Sequence, residues 1–124
     1  MQLRYTILFV TDLERSRRFY HELLGIPIRS EDASSIELDT GETTLALHRA
    51  HVGKAGHHPM MAAGSARIGF YVDNLDTAHQ RLIDAGVRCV TQPERRFDML
   101  MGLYEDPDGI YFTLGDSADA PLRG

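Results

Sequence analysis

Two stretches of the chain repeat each other at a spacing of 62 residues. The first, "VTDLERSRRFYHELLG" from Val10, aligns with "VDNLDTAHQRLIDAG" from Val72, and the second copy has one residue fewer before its final glycine. The matched positions follow the i, i+3, i+7 spacing of one helix face, so each stretch predicts an amphipathic helix. A fixed internal period indicates one structural unit used twice. The aligned helix-face residues are Leu13, Ser16, Tyr20 and Leu23 in the first copy and Leu75, Ala78, Leu82 and Ala85 in the second.

Capping residues stand at both ends of each predicted helix. An Asp, Asn or Thr side chain before the first turn accepts backbone hydrogen bonds, and a glycine after the last turn adopts a left-handed conformation. The predicted caps are Thr11 or Asp12 and Gly25 for the first helix, and Asp73 or Asn74 and Gly86 for the second.

Strand-forming segments flank both helices in the same order. "LRYTILFV" and "ARIGFYV" precede the helices, and "SSIELDTGETTLALH" and "GLYEDPDGIYFTLG" follow them as hairpins with glycine-containing turns. Each half therefore predicts strand, helix and then two or three strands, which is a βαβββ unit in an α+β protein. We expect unit one at about 2–48, a joint at about 49–66, unit two at about 67–115 and a frayed tail at 116–124.

Composition limits the classes of partner. A chain of 124 residues fits one domain, and its net charge of −5 with no Lys/Arg run argues against a nucleic-acid binder. The single cysteine, Cys89, excludes an internal disulfide, suits a reducing cytoplasm and is expected to pack rather than to act as a nucleophile. No apolar stretch approaches the ~18 residues of a membrane span. We therefore expect a cytoplasmic protein that binds neither nucleic acid nor membrane.

Two motifs resemble the vicinal oxygen chelate superfamily, which includes glyoxalase I, extradiol dioxygenases, fosfomycin-resistance enzymes and bleomycin-resistance proteins. They are "D-L-x-x-S-x-x-F-Y-x-x-x-L-G" at 12–25 and "E-D-P-D-G" at 105–109. The resemblance covers residues 3–115 and implies two βαβββ units forming a cup-shaped mixed β-sheet with flanking helices. It also implies a homodimer, with units paired within one chain or exchanged between two.

In that family, metalloenzymes take His and Glu or Gln ligands from the first and last strand of each unit. The matching positions here are Tyr5, Ala46, Arg67 and Thr113, none of which is such a ligand. His48, two residues beyond Ala46, supplies at most one donor, so we expect no metal and no cofactor. The joint histidines His51, His57 and His58 match no zinc spacing, and we expect them to be surface residues.

Strand alternation predicts which side chains face the cup. With Asp106 to Gly109 as the last turn, Tyr104 pairs with Tyr111, whereas Met99 and Met101 face the helix. The cup face is thus lined by four tyrosines, a phenylalanine and an arginine. Such a lining is typical of a small-molecule pocket, although the same aromatic rings could instead fill the cup as core. The predicted ligand-binding residues are Tyr5, Ile7, Phe9, Ala46, His48, Arg67, Tyr71, Tyr104, Tyr111 and Thr113.

Two functions remain open at this level. The first is a metal-independent binding protein of the bleomycin-resistance type that sequesters an aromatic or cationic compound. The second is a lyase, isomerase or dioxygenase, metal-free or with a displaced metal site at His48, with Glu37 and His48 as candidate catalytic residues. Glu37 faces the cup if Asp39 to Glu42 form the first turn; otherwise it is an ordinary exposed strand-end residue. Arg67 would suit an anionic substrate, which opposes a purely cationic ligand.

Overall fold

The first unit is a four-stranded sheet with one helical segment. The computed structural model describes residues 1–50, 66–96 and 98–119. The chain divides into two compact units, Met1–Gly56 and His57–Gly124. In the first unit the sheet order is β1-β4-β3-β2, with β1 parallel to β4 and the other pairs antiparallel. Its elements are β1 (Tyr5–Val10), α1 (Leu13–Arg17) continued by a π-helix (Arg18–Leu23), β2 (Ile28–Glu31), β3 (Ser35–Asp39) and β4 (Thr44–Arg49).

The second unit repeats this topology. Its sheet order is β5-β8-β7-β6, again with one parallel pair, β5 with β8. Leu8 pairs with Leu47 in the first unit, and Phe70 pairs with Leu114 in the second, as the repeat predicts. The α+β fold of two βαβββ units is confirmed. The elements are β5 (Ile68–Val72), α2 (Leu75–Asp84), β6 (Cys89–Arg96), β7 (Met99–Glu105), β8 (Tyr111–Asp116) and a 3₁₀ turn (Ser117–Asp119).

The predicted helix caps are present in both units. The side chain of Asp12 accepts a hydrogen bond from the backbone N–H of Arg15 at 3.0 Å, and Asn74 accepts one from Thr77 at 3.0 Å. After the helices, Gly25 has φ of 76° and Gly86 has φ of 82°, the left-handed conformation that glycine adopts without steric cost.

The extra residue of the first copy is accommodated by the π-helix. There the N–H of Leu24 bonds to the carbonyl of Phe19, five residues back, at 3.0 Å. Each helical segment is followed by a backbone hydrogen bond to an equivalent carbonyl. The N–H of Ile26 donates to the carbonyl of Tyr20 at 3.1 Å, and the N–H of Val87 donates to the carbonyl of Leu82, the counterpart of Tyr20, at 3.0 Å. The wider turn therefore contains the insertion, and the following strand starts at the equivalent place in both units.

One face of each sheet is buried against the helical segment of its own unit. In the first unit Leu38, Leu47 and Tyr20 lose essentially all solvent contact. In the second, Leu82 of α2 and Phe112 of β8 are buried in the same way. The opposite face of each sheet, which we call its open face, carries the exposed residues considered below.

The pairing of β7 with β8 differs from the prediction. The connection runs from Asp106 to Ile110 and is closed by a 2.9 Å bond from the N–H of Asp106 to the carbonyl of Ile110. Tyr104 consequently pairs with Phe112 and not with Tyr111. The predicted Tyr104–Tyr111 pair is wrong, and Tyr104 lies on the buried face.

The loop explains this shift. One carboxylate oxygen of Asp106, Oδ1, accepts hydrogen bonds from the backbone N–H groups of Asp108 and Ile110, both at 2.8 Å. Gly109 has φ of 84°. The "EDPDG" motif is thus a hydrogen-bonded turn that keeps Ile110 outside the strand.

The predicted tail is partly structured. Residue 116 ends β8, and Ser117–Asp119 form a 3₁₀ turn, so the expectation of fraying from 116 is wrong for these residues. The carboxylate of Asp116 accepts from the backbone N–H groups of Leu75 at 3.1 Å and Ala118 at 3.0 Å, and these bonds lower its pKa. Residues 120–124 lie outside the described chain, as does 51–65 of the joint. Across the described residues, no helix is long and apolar enough to cross a membrane.

Candidate functional site

The open face of the first sheet carries most of the unit-one residues predicted from the sequence. Tyr5 and Phe9 of β1 are 63% and 64% exposed. Ile7 and Glu37 both pair with Ala46 of β4, which places all three on one face. The prediction that Glu37 shares the face of Ala46 and His48 is confirmed by this register.

A pocket of about 460 Å³ lies on this open face. It brings together two carboxylates, two guanidinium groups, an imidazole and a phenol ring beside small and apolar side chains. Phe9 lies at its margin, with its ring in edge contact with His48 at 6.1 Å between centroids. Five predicted residues line the pocket, Tyr5, Ile7, Glu37, Ala46 and His48, and four others join them, Arg4, Arg29, Glu42 and Thr44.

The residues that sequence reasoning missed fall into two kinds. Thr44 is two residues before Ala46, so strand alternation alone could have placed it on the open face. Arg29 lies where the pairing of β2 with β3 shifts register, between Ile28 and Ser30, and alternation cannot be carried across such an irregularity.

One cation of this pocket, Arg29, is neutralised by a carboxylate outside the pocket lining. The guanidinium of Arg29 forms an ion pair with Asp39 at 3.1 Å and donates a hydrogen bond to the hydroxyl of Thr44. The carboxylate of Glu37 accepts from the hydroxyl of Ser30 at 3.3 Å, a neutral donor. A second guanidinium of the lining, that of Arg4, donates to the side-chain oxygen of Gln2 at 3.2 Å. Glu37 therefore enters the pocket as a carboxylate bonded to the neutral hydroxyl of Ser30.

The second unit has a similar ion-paired cluster at the corresponding strand ends. Arg88 forms an ion pair with Glu105, which is paired across the sheet with Tyr111. The hydrogen bond and charge of Glu105 raise the pKa of Arg88, with a smaller contribution from Tyr111. Tyr111 is half-buried and lies beside this ion pair.

The open face of the second sheet carries a smaller, apolar cleft of about 180 Å³. Tyr71, which is 56% exposed, and Thr113 line it as predicted residues of this face. Met99 and Met101 line it as well, so the prediction that they face the helix is wrong. The cause is the one-residue shift in the pairing of β7 with β8 that also places Tyr104 on the buried face. Arg67 precedes β5, is exposed and lines neither pocket.

Tyr104 belongs to the core of the second unit. Its ring is fully buried and stacks on Phe112 with 5.6 Å between centroids. Its hydroxyl oxygen lies 2.9 Å from Nδ1 of His79 on α2. Burial raises the pKa of the Tyr104 phenol, with a smaller contribution from Cys89.

Cys89 does not have the surroundings of a reactive thiol. Its sulfur donates a 3.3 Å hydrogen bond to the carbonyl of Thr91, and burial raises the pKa of the thiol. A raised pKa keeps the thiol protonated, which disfavours nucleophilic chemistry.

The four positions at which the resemblance implies metal ligands hold Tyr5, Ala46, Arg67 and Thr113, which are poor donors. Ala46 carries no donor atom, Arg67 is cationic, and the hydroxyl of Thr113 is a weak neutral ligand. Among the described residues, no three His, Cys, Asp or Glu side chains form a group that could hold a metal ion. His51, His57 and His58 lie outside that part of the chain. The residues at these positions do not fit a divalent ion.

The repeated βαβββ topology with one open face per sheet defines a glyoxalase-type fold. The family model of the Glyoxalase/Bleomycin resistance protein/Dioxygenase superfamily matches residues 2–114, and the chain belongs to this superfamily.

Curated relatives and solved structures agree with this assignment. The uncharacterized protein YraH of Bacillus subtilis (strain 168) is 27% identical over 118 residues, which span 87% of this chain and 92% of YraH. A glyoxalase/dioxygenase from Nostoc punctiforme superposes with a TM-score of 0.80 at 20% identity, covering 93% of this chain and 90% of its own. TnmS3, an antibiotic binding protein from Streptomyces sp. CB03234, superposes with a TM-score of 0.73 at 22% identity, covering 94% of this chain and 95% of TnmS3. At these identities the two structures establish the shared fold.

Proposed function

We propose that this protein binds a small organic molecule on the open face of the first sheet, without a metal, in the manner of a bleomycin-resistance-type member of its superfamily. The observation that carries the proposal is the 460 Å³ pocket that contains Tyr5, Glu37 and His48. Its volume lies within the range typical of small-molecule sites. Ala46, at a metal-ligand position of the fold, forms part of the same pocket and offers no donor.

The preferred ligand is an aromatic compound that carries a cationic group. The exposed ring of Tyr5 supplies a flat surface for stacking and for cation–π contact. The carboxylate of Glu37 supplies a charged acceptor, while of the two cations of the lining Arg29 is paired with Asp39 and Arg4 is bonded to Gln2. The net charge of −5 also favours a cation at long range.

Two further parts of the proposal concern the setting of the protein. We infer a homodimer, because exposed apolar side chains that line neither pocket, such as Leu3 and Ile83, are costly to leave in water. A cytoplasmic location is consistent with the free thiol of Cys89.

The fold likeness to TnmS3 is compatible with this function. That protein is an antibiotic binding protein, so this scaffold supports capture of a small molecule. At 22% identity the likeness extends to the scaffold and leaves the ligand of the present protein to experiment.

Binding is tested by native mass spectrometry and titration calorimetry. Tag-free protein is screened against a panel of aromatic amines and matched neutral aromatics, and we expect the amines to bind more tightly. Glu37→Gln should weaken amine binding by about 1.5–3 kcal/mol, because a charge-assisted hydrogen bond is lost. Glu14→Gln, an exposed carboxylate of α1, is the matched control. Equal binding of amines by Glu37→Gln and the wild type would overturn the assignment of this pocket.

A second candidate, a metal-free lyase or isomerase, is favoured by one observation. Glu37 and His48 line the same pocket, and both side chains are able to move protons. For each compound that binds, incubation in D₂O with mass detection reports proton exchange at carbon. Exchange that Glu37→Gln or His48→Asn abolishes without loss of binding would make the protein an enzyme. No exchange in the presence of bound compound would leave the binding protein as the function.

A further inference from the structure

Gly115 interrupts a row of large side chains on the open face of the second sheet. It lies on β8 between Tyr71 of β5 and Met101 of β7, and it is paired in register with both. Facing side chains on neighbouring strands stand about 5 Å apart, so a missing side chain in the middle strand opens a gap between its neighbours. The 180 Å³ cleft is lined by Gly115 together with both of these neighbours.

Neighbouring side chains lean into the space that the glycines leave. A Cβ on Gly115 would lie 3.0 Å from Sδ of Met99 and 3.4 Å from Cδ1 of Tyr71. A Cβ on Gly69 would lie 2.6 Å from Oγ1 of Thr113, closer than real Cβ contacts allow. A side chain at Gly69 would therefore force Thr113 to move, and a side chain at Gly115 would require Met99 to shift slightly.

The fold itself does not require these glycines. At the corresponding positions of the first unit, Ile7 pairs with Ala46 and His48 pairs with Phe9. The second unit has Gly69 and Gly115 there. Because the same topology accepts a bulky side chain at each position, the two glycines are a property of this cleft and not of the βαβββ unit.

The chemistry of the cleft is neutral and soft. Apart from the two glycines, its described lining consists of Phe70, Tyr71, two methionines and the hydroxyl-bearing Thr113, with no carboxylate, imidazole, amine or guanidinium. Thioethers make favourable contacts with aromatic rings, and flexible methionine side chains adapt to the ring that enters. A dry apolar cavity of about 150 Å³ is large enough to bind benzene.

We propose that this cleft is a subsite for a planar, uncharged aromatic ring, and that Gly69 and Gly115 determine this specificity by setting its depth. The ring stacks on Tyr71 and displaces the thioether of Met99 from above Gly115, and the hydroxyl of Thr113 meets a polar substituent. The inference rests on the proposed small-molecule-binding function and adds the class of chemical group that the second unit recognises.

The test uses indole as a planar probe and cyclohexanol as a non-planar control. In protein labelled with ¹³C at the methionine methyls, we expect indole to shift the Met99 and Met101 signals upfield in a saturable way, through the ring current. Cyclohexanol should give no such upfield shift. Saturable indole shifts confined to other methionines, or none, would overturn the proposal.

Variants separate the cleft from general apolar binding. Gly115→Ala should weaken indole binding by about 10-fold or more, the effect of one methyl group in an apolar pocket. Ala85→Gly, a one-methyl change at the exposed end of α2, should leave it unchanged. If Gly115→Ala does not fold, Tyr71→Ala at an exposed position serves instead and should lose the stacking surface. Wild-type affinity in the folded variant would refute the assignment.

The two proposals fail in different experiments. If amines do not respond to Glu37→Gln while the methionine shifts saturate, the pocket of the first sheet is wrongly assigned and the aromatic cleft stands. If amines bind as expected and indole gives no shift at Met99 or Met101, the cleft alone is refuted.

Discussion

Replacing Tyr104 with Phe tests where the structure places this side chain. The change removes a fully buried hydroxyl that lies 2.9 Å from Nδ1 of His79 and keeps the ring stacked on Phe112. A net hydrogen bond is worth about 0.5–1.5 kcal/mol, and a buried group left without its partner costs more. His79 is half-buried, so water can partly replace the lost partner. We therefore expect Tyr104→Phe to lower the free energy of unfolding by about 1 kcal/mol.

Urea unfolding at pH 7 measures the change, with Tyr71→Phe as the matched control. Tyr71 is 56% exposed on the open face, so removal of its hydroxyl should alter stability by less than about 0.5 kcal/mol. Tyr104→Phe should leave indole binding to the cleft of the second sheet intact, because its hydroxyl points to α2 and not to the open face of that sheet. The reverse pattern, unchanged stability with altered binding, would refute the register of β7 and β8.

The same variant has a characteristic dependence on pH. Burial raises the pKa of Tyr104 above its ordinary value of 10.0 in the folded protein. Above about pH 10 the unfolded chain ionises this phenol and the folded chain does not, so wild-type stability falls as pH rises. Tyr104→Phe lacks this loss, and the stability difference between the two proteins should shrink between pH 9 and 11. A constant difference over that interval would contradict the buried placement.

Three other outcomes are expected. Elemental analysis of tag-free protein should find well under one equivalent of metal, and chelators should leave its melting temperature unchanged; stoichiometric zinc, nickel, manganese or iron would favour the enzyme. Light scattering at micromolar concentration should give about twice the 13.9 kDa of one chain, and a monomer mass would argue against the inferred homodimer. Asp106→Ala should lower the free energy of unfolding by about 1.5–3 kcal/mol in urea titration, since its carboxylate accepts two backbone hydrogen bonds; wild-type stability would show that the turn forms without them.

The repeat predicted the fold because helix patterns are local. Helix faces, N-caps and the terminal glycines are set by residues within a few positions of each other, and Asp12, Asn74, Gly25 and Gly86 are placed as expected. The sequence left two candidates for each N-cap, and the hydrogen bond from the first turn distinguishes them.

The candidate site was predictable only where the turn did not change the face of a strand. The assumed turn at 39–42 is two residues out of register with the observed pairing of Glu37 and Ala46, and a two-residue shift keeps every side chain on its face. The assumed turn at 106–109 is one residue out, and this moves Tyr104 to the core and Met99 to the open face. The difference arises from Ile110, which two hydrogen bonds hold outside the strand, and strand periodicity carries no information about it.

The π-helix at 18–23 bears on the history of the chain. One residue inserted into an α-helix rotates everything beyond it by about 100°, which would normally separate a helix from the sheet that it covers. Here the two copies differ by that one residue, yet Tyr20 and Leu82 both close their helices and both are buried. Once a duplicated unit can absorb an insertion in this way, its two halves are free to diverge in length without losing their common architecture.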